Sequence, residues 1–384
     1  MVQVGGPTIV SSRSSGRRLT RQMNIGQLLI IGFDGTEMSP RLASLLRRIQ
    51  PAGVILFARN ITGAEQTHRL LRECQKCVAT PLFTCVDLEG GKVDRFRNVL
   101  GPTSAPAEVF ATGNRKLFRK HGRLIGANCR ALGFNVDFAP VLDLAFEASR
   151  PVLGSRAVSD DPRQVGSYAR EFLRGLDESG VLGCGKHFPG LGEANLDTHH
   201  ELPGVEKPFR KLWEQDLVPY RTLRRELLLV MVSHAAFPSV TNERTPASLS
   251  KKWITGILRK KIGYRGLICS DDLEMGGILA AAPIEEAAIG HIRAGGDLCL
   301  VCHQEDFILR AHEAMIRDAE RDRKFAGRVN ESARRVTAFK KKWLARRRPA
   351  PPPTPTKVEK LTRQLWEFGE EIRMATLDRE ERSA

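Results

Sequence analysis

Residues 181 to 203 read VLGCGKHFPGLGEANLDTHHELP, and the change of character inside this stretch decides the fold. Its first part, VLGCG, is a short apolar run of the kind that forms a buried strand. From Lys186 the run passes into a loop, bent by Pro189, Gly190 and Gly192, that gathers Lys186, His187, Glu193, Asp197, His199 and His200. Polar loops are common on surfaces and by themselves say little. A buried strand that delivers ionisable groups straight into such a loop is the pattern found at the carboxyl ends of parallel strands, where α/β proteins place their catalytic groups.

Similar runs recur on both sides of it: LLIIGF (28–33), GVILF (53–57), LFTCVD (82–87), FNVDFAP (134–140), LVMVSH (229–234), LICSDD (267–272) and DLCLVC (297–302). With GCGKHF (183–188) they make eight, and amphipathic helical stretches separate them. Strands alternating with helices imply a parallel sheet, and eight of them over roughly 280 residues match the size of a closed α/β barrel, the (β/α)8 fold. A doubly wound open sheet is the rival, but no GxGxxG follows an early strand to support its dinucleotide-binding form. The ends of the runs are polar in a repeated way. Asp87 closes the third, Asp137 lies within the fourth, Lys186 and His187 close the fifth, His234 the sixth, and Asp271 with Asp272 the seventh. Any one of these could cap a helix or tie down a loop; their recurrence points to an active site at one rim of the barrel.

The chain has 384 residues, 41% of them hydrophobic, enough for a substantial core. Its 60 Lys and Arg against 44 Asp and Glu give a net charge of +16. Much of that excess is peripheral: residues 1–22 carry Arg13, Arg17 and Arg18, while KKK at 340–342 and RRR at 346–348 precede the proline-rich PAPPPTPT. The expected organisation is a basic segment over 1–22, a barrel over 23–345, and a linker with a charged helix over 346–384. Aromatic residues are 6% of the chain and do not interleave with the basic runs, which argues against a nucleic-acid surface. No run of about 18 apolar residues spans a membrane, and the first thirty residues lack the pattern of a secretory signal, so a cytoplasmic location is expected. Cys85, Cys184, Cys269 and Cys299 sit in strand-like runs as small hydrophobes, and the single CxxC at Cys74 and Cys77 has no second pair for zinc.

Seven segments in order carry a resemblance: VDLEGGKVDRF (86–96), FNVDFAPVLDL (134–144), VLGSRAV (152–158), KHFPGLGEANLDTHHELP (186–203), SHAAFPSV (233–240), PASLS (246–250) and GLICSDDLEMGGI (266–278). Together they resemble the bacterial β-N-acetylglucosaminidases of glycoside hydrolase family 3, over roughly residues 24–340. A retaining glycosidase needs a carboxylate to attack the anomeric carbon and a proton donor across the bond. By the resemblance, Asp271 is the nucleophile, and DTH at 197–199 supplies an Asp197–His199 dyad whose imidazole is the acid/base. An imidazole titrates near neutral pH and suits both halves of that task. The resemblance further implies that Asp87, Arg95, Arg156, Lys186 and His187 bind the sugar; Asp272, one residue on from Asp271, points to the strand's other side and is expected to brace the loop or barrel wall, and His200 is expected to be a neighbour without a role. It implies a small carbohydrate substrate, a muropeptide fragment of cell-wall recycling, and chemistry that needs neither metal nor cofactor. A phosphorylase using the same residues and a non-catalytic barrel that binds sugar or an anionic partner are the alternatives.

The chain also departs from the family pattern. Leu191, Glu193, Ala194 and Thr198 replace the usual His, Asp, Thr and Ser of the loop, and Lys92 replaces the Arg of EGGR. Larger relatives take their acid/base residue from an added sandwich domain, for which the residues after the barrel are too few. KLTRQLWEFGEEIRMATLDREERSA, from Lys360, is expected to form an amphipathic helix packed on the barrel or on a partner.

Overall fold

The computed structural model describes residues 24–194, 202–344 and 349–383. Eight parallel strands close into a barrel: β1 (Leu29–Ile31), β2 (Gly53–Ile55), β3 (Phe83–Val86), β6 (Val136–Asp137), β7 (Leu182–Phe188), β8 (Leu229–Val232), β9 (Leu267–Asp272) and β10 (Leu298–Val301). Each coincides with one of the eight apolar runs, β7 beginning one residue ahead of its run. The strands follow one another around the barrel in chain order, and β1 pairs with β10 to close it, Leu29 opposite Cys299. Two further strands, β4 (Leu88–Gly90) and β5 (Val93–Asp94), form an antiparallel hairpin outside the barrel wall.

Strand parity organises the core. Ile30, Cys85, Cys184, Met231, Cys269 and Leu300 belong to the cluster that fills the barrel. Their neighbours Ile31, Val86, Val230, Ile268 and Val301 belong to the layer beneath the helices. Both faces of every strand are therefore dry, which is why the runs are continuously apolar instead of alternating with polar residues. All eight cysteines are free, and the sulfurs of Cys184 and Cys269 lie 4.0 Å apart inside the barrel.

The helices start where the sequence caps them. Ser39 Oγ accepts from Leu42 N ahead of α1 (Pro40–Ile49). Asn114 and Asp161 do the same for α3 (Arg115–Leu132) and α4 (Pro162–Glu178), while α2 (Ala64–Lys76) follows Gly63. The α3 and α4 backbones meet closely at two glycines: a Cβ on Gly122 would fall 2.0 Å from the Phe172 carbonyl oxygen, and one on Gly175 2.2 Å from that of Arg119.

After α5 (Ile284–Ala294) and α6 (Glu305–Arg321), helix α7 (Arg323–Trp343) covers the amino-terminal end of the barrel. Val336, Phe339, Trp343 and Leu344 join the barrel's inner cluster, and the Phe339 ring meets Phe83 edge-on at 5.9 Å. Lys340 is buried there, with Nζ 2.8 Å from Gln27 Oε1 and 5.1 Å from the centre of the Phe83 ring. The last helix, α8 (Pro355–Ser383), packs on the outside of the barrel. Leu361, Leu365, Phe368 and Ile372 are its buried face, Phe368 stacks on His121 of α3 at 5.8 Å, and Glu371 pairs with Lys120. Between a barrel and a partner as its seat, the barrel is the one observed. The basic segment 1–22 and the arginines 346–348 lie outside the described residues.

Candidate active site

The parity that fills the barrel also aims the site. Leu267 and Cys269 of β9 line the interior, so Asp271, two residues further on, continues that row into the barrel mouth. Asp272 takes the other side, where Oδ2 lies 3.1 Å from His303 Nε2 and Oδ1 accepts from Glu274 N at 3.0 Å. It braces the turn that follows the strand, as expected from the sequence. Its own N–H donates to Asp271 Oδ1 at 2.8 Å, leaving Oδ2 of Asp271 unspent in that contact. Burial works against ionisation of Asp271, but His187, His234, the Asp272 N–H and the Lys186 ammonium outweigh it and hold the carboxyl below its ordinary range.

Beside it stands a buried network of charges. Lys186 Nζ lies 2.7 Å from Asp87 Oδ1 and 2.6 Å from Glu89 Oε1. Arg156 donates from Nε and Nη2 to the two carboxylate oxygens of Glu89, at 2.7 and 2.8 Å. Burial opposes the Glu89 charge, yet Arg156 and Lys186 drive its carboxyl far below the usual range; the carboxylates of Asp87 and Glu89 raise Lys186 in turn against its own burial. Glu89 reaches this position because the hairpin turns on Gly90 and Gly91, with φ of 93° and 61°, and a Cβ at Gly90 would fall 2.2 Å from the Ser104 carbonyl oxygen. The EGG of the sequence is thus a conformational requirement.

His187 is oriented by Asp143, whose Oδ2 takes Nδ1–H at 2.6 Å and whose Oδ1 accepts from Leu191 N at 2.8 Å, so that Nε2 is the nitrogen left for a ligand. Arg95, just past the hairpin, has a buried Nε with no hydrogen-bond partner among the described residues, and its guanidinium lies 5.7 Å from the centre of the Phe57 ring. Arg59 lies 4.7 Å from the same ring, and His303 stacks on it at 5.2 Å. His234 is spent on structure: Nε2–H donates to the Asp272 carbonyl at 2.9 Å, Nδ1 accepts from Ser248 Oγ at 2.7 Å, and burial lowers its titration below the usual imidazole range against the pull of Asp271 and Asp272. Asp137 is likewise structural, accepting from Leu88 N at 2.9 Å while burial pushes its carboxyl well up.

The structure therefore gathers Asp87, Arg156, Lys186, His187 and Asp271 around one mouth, with Arg95 on the hairpin that carries Glu89. Asp197 and His199 lie outside the described residues. Glu89 and Asp143 were not singled out by sequence reasoning. The available signal was an acidic residue inside an otherwise apolar motif, VDLEGG and APVLDL, since a buried carboxylate requires a partner.

Residues 20–339 match the glycosyl hydrolase family 3 N-terminal domain. The chain belongs to glycosyl hydrolase family 3. A β-hexosaminidase of Idiomarina loihiensis is 34% identical over 312 residues, 80% of this chain and 91% of that protein. Another, from Bordetella avium, is 37% identical over 287 residues, 72% and 81% of the two. The structure of a family 3 β-N-acetylglucosaminidase from a Paenibacillus species aligns with a TM-score of 0.84 at 32% identity, over 90% of this chain and 68% of that one.

Within family 3 the loop departures of this chain can now be placed. Leu191 is buried in the core, and the hydrogen bond at this position is made by its backbone N–H to Asp143. Glu193 pairs at 3.0 Å with Lys207, a buried cation that also lies 2.8 Å from Asp216 and 4.5 Å from the centre of the Phe146 ring. The segment leading into residues 195–201 is thus anchored by apolar burial and an ion-pair chain.

Proposed function

We propose that this family 3 hydrolase removes terminal, non-reducing β-linked N-acetylglucosamine with retention of configuration, through a glycosyl-enzyme on Asp271. At the coarser level it is a glycoside hydrolase of the β-N-acetylhexosaminidase kind. The observation that carries the finer reading is Asp271 itself: an ionised carboxylate on the inner row of β9, in the same mouth as the Lys186–Asp87–Glu89–Arg156 network.

In this reading Asp271 Oδ2 attacks the anomeric carbon while Asp272 N–H steadies the other oxygen. His199 protonates the departing glycosidic oxygen, and Asp197 stabilises the imidazolium; in the second half His199 takes the proton from water, which attacks the same carbon and frees Asp271. Asp87, Lys186, Arg156 and His187 bind the sugar hydroxyls and Arg95 contributes its Nε, which has no hydrogen-bond partner among the described residues. A network whose charges are already neutralised before substrate arrives offers hydrogen bonds without reorganisation. Carboxylate and imidazole suffice for both displacements, with no metal or cofactor. The substrate is a muropeptide fragment, handled in the cytoplasm during cell-wall recycling.

The test is release of chromophore from a β-N-acetylglucosaminide beside the β-glucoside, with and without phosphate, for the wild type and for Asp271→Ala and His199→Ala. Preference for the N-acetyl sugar, free sugar as product in both buffers, and loss of about a hundredfold or more in both variants are expected. Glycosyl phosphate as the product would replace hydrolysis by phosphorolysis, and full activity of Asp271→Ala would end the assignment of the nucleophile.

A further inference from the structure

A second concavity, independent of the active site, opens on the opposite end of the barrel. Its volume is about 610 Å³ and its wall includes Leu228 and Leu267, at the amino ends of β8 and β9. Asp271 is at the other end of β9, a strand of six residues, so the two openings face away from each other.

The lining is of one sign. Arg224, Arg225, Arg265, Arg335 and Lys342 contribute five cations and no carboxylate lines the cavity. Among the described residues only Arg335 is neutralised by acid groups, Asp297 at 2.7 Å and Glu331 at 2.7 Å. Arg224 is bonded to the Arg221 carbonyl, and Glu226, nearby in the chain, is engaged by Arg170 at 3.0 Å. Arg225 and Arg265 have no carboxylate partner among the described residues, and both are exposed. Converging like charges repel, and the repulsion is relieved by an anion with several oxygens. The floor is aromatic: Phe339 and Trp343 lie 6.1 Å apart, ring to ring, both half-buried in the wall. Rings and guanidinium planes side by side are the surfaces on which a nucleobase stacks.

We propose that this cavity binds a nucleoside polyphosphate, with its phosphates on Arg224, Arg225 and Arg265 and its base against Phe339 and Trp343. The volume falls in the range of small-ligand sites, and the concavity is an open cleft between the barrel end and α7, of a size that suits one free nucleotide. The site is independent of the glycosidase reading and survives its failure.

The experiment is calorimetric titration of the full chain with ATP, with inorganic tripolyphosphate and with a short oligothymidylate, for the wild type and the double variant Arg225→Glu/Arg265→Glu. Hydrolysis of the chromogenic glycoside, which these two residues do not touch, reports that the variant is folded. Expected are saturable binding of ATP at low salt, tripolyphosphate binding several-fold more weakly, and a loss of about a hundredfold or more for both ligands in the variant. The proposal is overturned if ATP shows no binding up to about 1 mM, if the variant binds it undiminished, if tripolyphosphate binds as tightly as ATP, or if the oligonucleotide binds more tightly and ATP does not displace it.

Discussion

At the scale of single residues, the site depends on charges that are buried only because they are paired. Glu89 holds two cations at once, and Lys186 two carboxylates. Glu89→Gln therefore leaves more positive charge than negative in a dry place, and should cost about 3 kcal/mol in denaturant unfolding together with a raised KM. Asp271 behaves differently, because it adds little to packing and stands at an open mouth. Asp271→Asn should still fold and lose about a thousandfold or more in kcat, measured on the chromogenic glycoside. Of these residues, Asp271 and Lys186 were legible in the sequence, since each ends a strand whose parity points it inward. Glu89 and Asp143 were not, because their importance lies in what they touch.

Elements carry the next level of consequence, most clearly in α7, which closes the amino-terminal end of the barrel. Lys340 is buried on its inner face, and burial lowers its ammonium from 10.5 to about 7. Between about pH 7 and 10.5 the folded chain holds this group neutral while the unfolded chain still binds a proton, so stability rises with pH across that window and is flat below it, where both states are protonated. The expected gain from pH 7 to pH 9 is about 2 kcal/mol, read by chemical unfolding at the two pH values. Lys340→Met should remove that dependence and match or exceed the wild type at neutral pH, because a charge buried against Phe83 and Gln27 is replaced by a side chain of similar reach. The KKK run that contains Lys340 reads in sequence as solvated charge. Only the helix phase shows that one of the three turns inward while Lys341 and Lys342 stay exposed.

For the molecule as a whole, α8 is fastened to the barrel wall by a stripe spaced three and four residues apart, Leu361, Leu365, Phe368 and Ile372. Phe368→Ala should cost about 3 kcal/mol in unfolding while activity per folded molecule is kept, since the lost contact is with His121 of α3 and with none of the charged groups of the mouth. The amino-acid sequence by itself determined the eight strand runs, the parallel order they imply and the inward row that ends in Asp271, because apolar runs and two-residue parity are local properties of the chain. The tertiary structure alone decided which charges meet: Lys186 with Asp87 across 99 positions, Arg156 with Glu89 across 67, and His187 with Asp143 across 44. It also decided the seat of α8 and the cationic cavity at the opposite end, whose arginines come from separate connecting segments. The physical reason is that an ion pair depends on distance in space, and closing the barrel sets those distances.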